Sequence, residues 1–386
     1  MTVTAVRLDE RRTGSRPDFL LIFAMMALTA VGLLMIYSVT SPRLASAGLD
    51  RTTDMTKQAI FAVLGLVVFV VASIIPPRTW KTLTPLAYVA AVLLLFAVLS
   101  PVGAVRGGAQ RWIPIGFLDL QPSELAKPAV VLALALLLIP VEEGRMRWVR
   151  IARALILVGV PGALVFLQPD LGTALVFGFV SVVMLFTAGT TVRQIILLAV
   201  GGVVAIVTAF SLDILKEYQL ARLTGFLNAG EQTLTLNYNQ VQSQVAIGNG
   251  GLFGTGLFEG TQTNLAFVPA QRTDFIFTAV GEQLGFVGSA IVLGLFAVIV
   301  WRCLQTAGTA QERFSQLVPA GIAAMLMFHV FVNVGMNLGL LPVTGLPLPF
   351  MSYGGSFYLS MGLSLGIVHS IWLRKTVVPA DVRLMT

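Results

Sequence analysis

The sequence predicts an all-α, polytopic integral membrane protein. About ten transmembrane helices, a large extracytoplasmic loop and a re-entrant outer loop are expected. Two observations carry this. The chain is 56% hydrophobic and only 11% charged over 386 residues, whereas a soluble domain averages about 25% charged. Its apolar runs also recur at the length of about 20 residues that crosses a bilayer.

The runs fall at roughly 18–40, 57–75, 84–101, 122–140, 151–168, 171–188, 194–212, 275–301, 315–341 and 353–373. Arg11, Arg12 and Arg16 precede the first run, and Ala45-Ser46-Ala47 resembles a signal-peptidase site. Phe19 to Val39 is longer than a signal h-region of about 7–15 residues, so an uncleaved span is expected. Pro76-Pro77 breaks the chain between spans two and three. Pro122 fits the first turn of span four, where a missing N–H costs nothing. Asp170, in Gln168-Pro169-Asp170-Leu171-Gly172-Thr173, either caps span six or joins an acidic site. The stretch 213–274 is the largest segment outside the spans. Its start, Asp213 to Leu227, suits an amphipathic interfacial helix. Glycines 248, 250, 251, 254, 256 and 260 suggest tight turns or close approach to a ligand. Between spans nine and ten, Leu341 to Gly355 holds three prolines and three glycines. A continuous helix is excluded there, and irregular backbone at membrane depth needs protein cover or a cavity.

Lysine and arginine placement sets the orientation. With ten spans, 16 of the 25 cations share a side with both termini, which is therefore expected to be cytoplasmic. The chain divides into a cytoplasmic tail 1–17, a membrane domain 18–373 and a tail 374–386. The net charge of +7 reflects this bias and anionic inner-leaflet lipid, not nucleic acid. The single cysteine, Cys303, excludes an intrachain disulfide. His329 and His369 lack ligand spacing, so no zinc site is expected and interior hydrogen bonding is the expected role of both.

The candidate chemistry gathers at the opposite, outer face. Asp274 stands where the long loop meets span eight, and a membrane-edge charge is a functional candidate. Its plain alternative is an N-cap for that span. Glu124 and Lys127, three apart in Gln121-Pro122-Ser123-Glu124-Leu125-Ala126-Lys127, share a helix face. They form either a packing ion pair or part of a polar cavity. Arg111 and Trp112 suit headgroup anchoring or a phosphate-bearing ligand. Arg272 lies two residues before Asp274. Glu282, inside span eight, falls about 12 Å deeper at 1.5 Å per residue. No two of the nine aspartates are separated by one residue, so the Asp-x-Asp clamp of many nucleotide-sugar enzymes is absent. Carboxylates and cations together suit sugar transfer from a lipid-linked pyrophosphate, with a tuned general base and cations facing the leaving phosphate.

These motifs carry a resemblance. Gln110-Arg111-Trp112-Ile113, the 121–127 and 168–173 segments, Gly250-Gly251-Leu252-Phe253-Gly254, Thr273-Asp274-Phe275-Ile276-Phe277 and the Pro342–Gly355 loop resemble the SEDS family (shape, elongation, division and sporulation). Gly260-Thr261-Gln262 is similar to its RodA branch more than its FtsW branch. The resemblance implies a ten-span peptidoglycan glycosyltransferase that polymerises lipid II at the outer leaflet of the bacterial inner membrane. It implies a class B penicillin-binding protein as partner. It implies Asp274 as catalytic base and a charged pair of weight in Glu124 and Lys127. Arg111, Glu124, Lys127, Arg272 and Ser352 are the candidate substrate-binding residues. Arg111, Lys127, Arg272 or a bound divalent ion, magnesium or manganese, would stabilise the leaving pyrophosphate. The chain departs from the family at Ala270-Gln271-Arg272, where Glu-x-His is common. The rival expectations are a flippase of lipid-linked precursor, though no clear inverted repeat is present, and a non-catalytic scaffold for the transpeptidase.

Overall fold

The computed structural model describes residues 16–106, 109–116, 118–139, 146–211 and 238–374. Both tails, apart from a few residues, and the expected interfacial helix at 213–227 lie outside the described residues. Each of the ten expected spans is matched by a helix. They are α1 (Phe19–Ser46), α2 (Thr53–Ile74), α3 (Pro77–Val98), α4 (Pro122–Leu137), α5 (Trp148–Leu167), α6 (Leu171–Thr187), α7 (Val192–Ser211), α10 (Ile276–Thr309), α11 (Arg313–Asn337) and α12 (Gly355–Leu373). The shorter helices α8 (Tyr238–Asn249) and α9 (Thr261–Asn264) precede α10. Seven helices among the described residues are long and apolar enough to cross a membrane, and α6 and α7 are shorter apolar helices. The chain is a multi-pass membrane protein.

Local chemistry fixes the helix starts. Asp18 caps α1 by accepting from Leu21 N at 3.1 Å. Pro77 and Pro122 open α3 and α4, where their missing N–H groups would find no helical partner anyway. Asp170 caps α6, accepting from Thr173 N at 3.2 Å, which supports the capping reading of that residue.

Helices α11 and α12 are buried along most of their length, whereas α2, α3 and α5 expose much of theirs. The centre of the bundle is therefore α11, α12 and the buried α4, with apolar side chains of the outer helices left for lipid. Between α3 and α4 the chain forms a small antiparallel sheet of β1 (Ala104–Arg106), β2 (Ala109–Ile115) and β3 (Leu118–Leu120). No strand was expected there; segments of three to seven residues carry too little pattern to announce themselves.

The largest departure lies after Asp274. Helix α10 is broken at Gly285, which has φ 66° and ψ −162°. The turn Ile276 to Leu284 is thereby separated from the long span that follows. Residues Ile276 to Gln283 are all buried, so this first part sits inside protein rather than lipid. The glycine-rich loop makes the break affordable. Phe286 N and Val287 N donate to Gly251 O and Leu252 O, at 2.9 and 3.1 Å. Thr255 N and Gly256 N donate to Glu282 O and Gln283 O, at 2.9 and 3.2 Å. Two carbonyls at one broken end and two N–H groups at the other are thus satisfied by the loop, as buried helix ends require. The glycines are needed for contact with this helix. A Cβ on Gly250 would stand 1.9 Å from Gly281 O, and one on Gly254 2.1 Å from Gln283 O. Glu282 is accordingly not a charge 12 Å down a straight span. Its carboxylate accepts from Gln262 N at 2.7 Å, Thr263 N at 3.0 Å and the Thr263 hydroxyl at 2.7 Å, holding α9 in place.

Candidate active site

The Pro342–Gly355 segment is the floor on which the site is built. It is irregular, and Leu346, Leu348 and Met351 are at most 1% exposed, so its backbone is covered as the re-entrant expectation requires. Side chains from surrounding helices satisfy its carbonyls. Asn333 Nδ2 donates to Leu346 O at 2.8 Å, and Gln58 Nε2 donates to Ser352 O at 3.3 Å. The loop's own Ser352 accepts Leu348 N on its hydroxyl at 2.8 Å. Ser352 is 1% exposed and braces the loop from within.

Asp274 is half-buried at the edge of this floor. Phe275 holds the N-cap position of α10, without a side-chain hydrogen bond, and Asp274 immediately precedes it. Its backbone carbonyl is gripped by Asn333 Nδ2 at 2.7 Å and Asn337 Nδ2 at 3.3 Å. A Cβ on Gly345 would come 3.6 Å from Asp274 Oδ2, which places the carboxylate directly over the loop. Gly345 has φ 77°, a left-handed conformation suited to glycine. It keeps the loop close without a side chain over the acid.

Three groups of charges adjoin this loop, each held differently. Glu124 and Lys127 pair at 2.9 Å with side chains 3% and 1% exposed. Lys127 Nζ also lies 3.1 Å from His329 Nε2, and His329 Nδ1 lies 3.1 Å from Pro347 O. The pair therefore connects to the loop through His329, one helical turn before Asn333. Ser360 of α12 ties the backbone by donating to Glu124 O at 2.7 Å. Arg111, on β2, donates from Nε to Gln168 O at 2.8 Å, and also to Pro169 O. It stands 3.9 Å from Asp170. A Cβ on Gly172 would touch Thr344 O at 2.9 Å, so the Arg111 cluster adjoins the start of the loop. Arg272 pairs with Asp54 of α2 at 2.6 Å and lies 5.0 Å over the ring of Tyr353. Tyr353 N donates to Arg272 O at 2.9 Å. Burial in this crowded corner pushes the Tyr353 hydroxyl above its ordinary pKa, with the Asp54 charge adding to the effect.

A model of the FtsW/RodA/SpoVE family, described as cell cycle protein, matches residues 18–376. The chain belongs to the FtsW/RodA/SpoVE family. MrdB of Escherichia coli strain K12, a peptidoglycan glycosyltransferase, is 39% identical over 319 residues, 83% of this chain and 85% of that one. Stage V sporulation protein E of Bacillus subtilis strain 168 is 34% identical over 357 residues, 92% and 96% of the two chains. Among solved structures, a chain of a peptidoglycan synthase complex coordinating polymerization and crosslinking superposes with a TM-score of 0.76. It shares 32% identity, covering 92% of this chain and 97% of that one. RodA of Thermus thermophilus gives 0.66 at 30% identity, covering 93% and 97%.

Of the residues singled out in this FtsW/RodA/SpoVE-family sequence, the loop brings Asp274, Arg272 and the Arg111 cluster to its surface. It leaves Glu124, Lys127 and Ser352 beneath. His329, Asn333, Asn337 and Asp54 were not anticipated as parts of the site. The spacing His329, Asn333, Asn337 marks one polar stripe at i, i+4, i+8 on a helix that is otherwise apolar from Leu317 onward, and that stripe was the available signal. Among the described residues no three histidine, cysteine, aspartate or glutamate side chains gather.

An apolar groove of about 840 Å³ runs between α5, α6 and α7, lined by Leu167 and Ala174 at the α5–α6 junction. Gly159, Gly162 and Gly178 line it, and a Cβ on any of them would meet nothing within 4 Å. These glycines leave space instead of drawing helices together.

Proposed function

We propose that the chain is a peptidoglycan glycosyltransferase that polymerises lipid II into glycan strands for cell elongation and shape, with Asp274 as the general base. Both termini are cytoplasmic, by the lysine and arginine bias, and the Asp274 end faces outward beside the 213–274 loop. A class B penicillin-binding protein is the partner that crosslinks the product.

The position of Asp274 carries the reading. A carboxylate that is half-buried, lies over the Pro342–Gly355 loop and is fixed through its backbone carbonyl suits proton transfer. Asp274 takes the proton from the 4-hydroxyl of the acceptor's terminal N-acetylglucosamine. That oxygen bonds to the anomeric carbon of the donor's N-acetylmuramic acid as the bond to pyrophosphate breaks, with inversion. Undecaprenyl pyrophosphate leaves with the electron pair, and the proton stays on Asp274. Arg111 and Arg272 lie towards opposite ends of the loop and offer positive charge to the phosphate oxygens of the lipid-linked substrates. Lys127, Glu124 and Ser352 act by positioning the loop, since their burial keeps them from the substrate. The groove between α5, α6 and α7 suits an isoprenoid tail. Among the described residues no three histidine, cysteine, aspartate or glutamate side chains gather to hold a resident metal. A magnesium or manganese ion would be carried largely by the substrate's phosphates.

The test is glycan formation from labelled lipid II by purified full-length protein. Asp274→Asn should lower the rate by about 10²–10⁴, the usual contribution of a general base, at an unchanged melting temperature. Polymer at the wild-type rate from that variant would reject the base assignment.

A further inference from the structure

We propose that a cationic cleft beside Arg272 binds the pyrophosphate of a second lipid-linked molecule, the one whose phosphate bond stays intact. The proposal rests on the glycosyl-transfer reading and its topology. The cleft has a volume of about 620 Å³ and lies between the end of α1, the start of α2 and the turn before Asp274. Arg43, Lys57 and Arg272 line it, with Asp54 as its one acid.

Strand growth joins two lipid-linked molecules. The donor loses its pyrophosphate at the reacting carbon. The acceptor keeps its own, on the far side of its own sugars. One active site therefore needs two separate places for phosphate. Arg111, at the α5–α6 junction beside the apolar groove, suits the departing one. The cleft lies past the other end of the loop, where Tyr353 meets Arg272.

The charges in the cleft have no sufficient internal use. Asp54 and Lys57 are three apart on α2, the spacing of an ordinary helix pair. Asp54 instead pairs with Arg272 at 2.6 Å. Arg43 and Lys57 are exposed, and neither has a side-chain hydrogen bond or ion pair among the described residues. On the proposed topology only nine of the 25 cations lie on the outer side, and three of those nine line this cleft. The ring of Tyr353 under Arg272 fixes the guanidinium plane, which favours bidentate contact with phosphate. Gln271, also on the cleft lining, is buried, and its amide nitrogen donates to the Thr263 and Thr278 hydroxyls at 2.9 and 3.0 Å, which fixes the wall beside Arg272.

The experiment uses full-length protein carrying Asp274→Asn, which blocks turnover, in nanodiscs titrated with lipid II. Two binding equivalents per chain are expected. Arg43→Gln with Lys57→Gln should weaken one of them about tenfold, the loss of a charge-assisted contact. Arg43→Lys with Lys57→Arg should restore it. Inorganic pyrophosphate should compete for that same equivalent. A lipid-linked disaccharide pyrophosphate without the stem peptide should still fill both sites. Unchanged binding in the charge-removed variant would overturn the proposal. So would loss of the second equivalent on removing the peptide, which would assign the cleft to peptide carboxylates. Polymerisation by protein with an intact Asp274 is read in parallel, so a failed cleft with normal glycan synthesis rejects this inference and leaves the enzyme assignment standing.

Discussion

Two ion pairs flank the same loop and are built in opposite ways. Glu124 and Lys127 are three residues apart on one helix, with side chains 3% and 1% exposed. Arg272 and Asp54 are 218 residues apart and join two elements, with side chains 42% and 11% exposed. Their contact distances differ little, 2.9 against 2.6 Å, so distance does not distinguish them. Solvent does. A charge in the interior has no water to turn to when its partner leaves, so the buried pair must persist. A half-exposed arginine can exchange its carboxylate for water or for an anionic ligand at little cost. The buried pair therefore suits a fixed support and the exposed pair a surface that responds to substrate.

The strongest way to break this contrast is to remove one buried partner. Lys127→Met should destabilise the full-length protein by about 3–5 kcal/mol, because Glu124 is left uncompensated. Thermal unfolding in detergent measures it. Glu124→Gln combined with Lys127→Met should recover most of the loss, since a neutral pair of similar volume is often tolerated. A single variant as stable as the wild type would mean that the interior is wet enough to solvate Glu124.

The contrast also marks how far the sequence reaches. The ten spans were legible because each is an apolar run near bilayer length, and the Glu124–Lys127 pair because helical spacing alone brings the two together. Arg272 was legible as a cation near Asp274, but its partner Asp54 was not. Nothing in a linear pattern links residues 218 positions apart. His329 was read as a satisfied interior group. That is correct as far as it goes, yet only the fold shows that it satisfies Lys127. The break at Gly285 left no trace because apolar composition continues through it. The glycines at 250 and 254 were read as turns or ligand contacts, since a sequence cannot say which backbone comes close. Here it is the broken helix itself.

Asn333 connects the two sides of the comparison and should show an intermediate effect. It lies one turn after His329, and its amide holds both Asp274 O and Leu346 O. Asn333→Leu leaves two carbonyls short of a donor, worth about 1–3 kcal/mol. The melting temperature should fall less than in Lys127→Met, while glycan synthesis falls further than stability alone explains. Asn333→Asp should restore neither, because an ionised carboxylate cannot donate. Full activity in Asn333→Leu would remove this residue from the positioning of Asp274.

The smallest effect is expected at the exposed pair, and it differs in kind. Asp54→Asn keeps the shape of the side chain and an oxygen for Arg272 while deleting the charge. Stability should change by about 1 kcal/mol, the upper end for exposed ion pairs, because Arg272 is half-exposed while the Asp54 side chain is 11% exposed. If Asp54 competes with substrate phosphate for Arg272, the same change lowers KM for lipid II, by about fivefold or less for a pair of that strength. The gain should shrink as salt rises, because exposed charges are screened. Steady-state kinetics at two ionic strengths read both effects. An Asp54→Asn protein that melts as low as Lys127→Met would show that Arg272 cannot exchange its partner, and the two pairs would then be two supports of one kind.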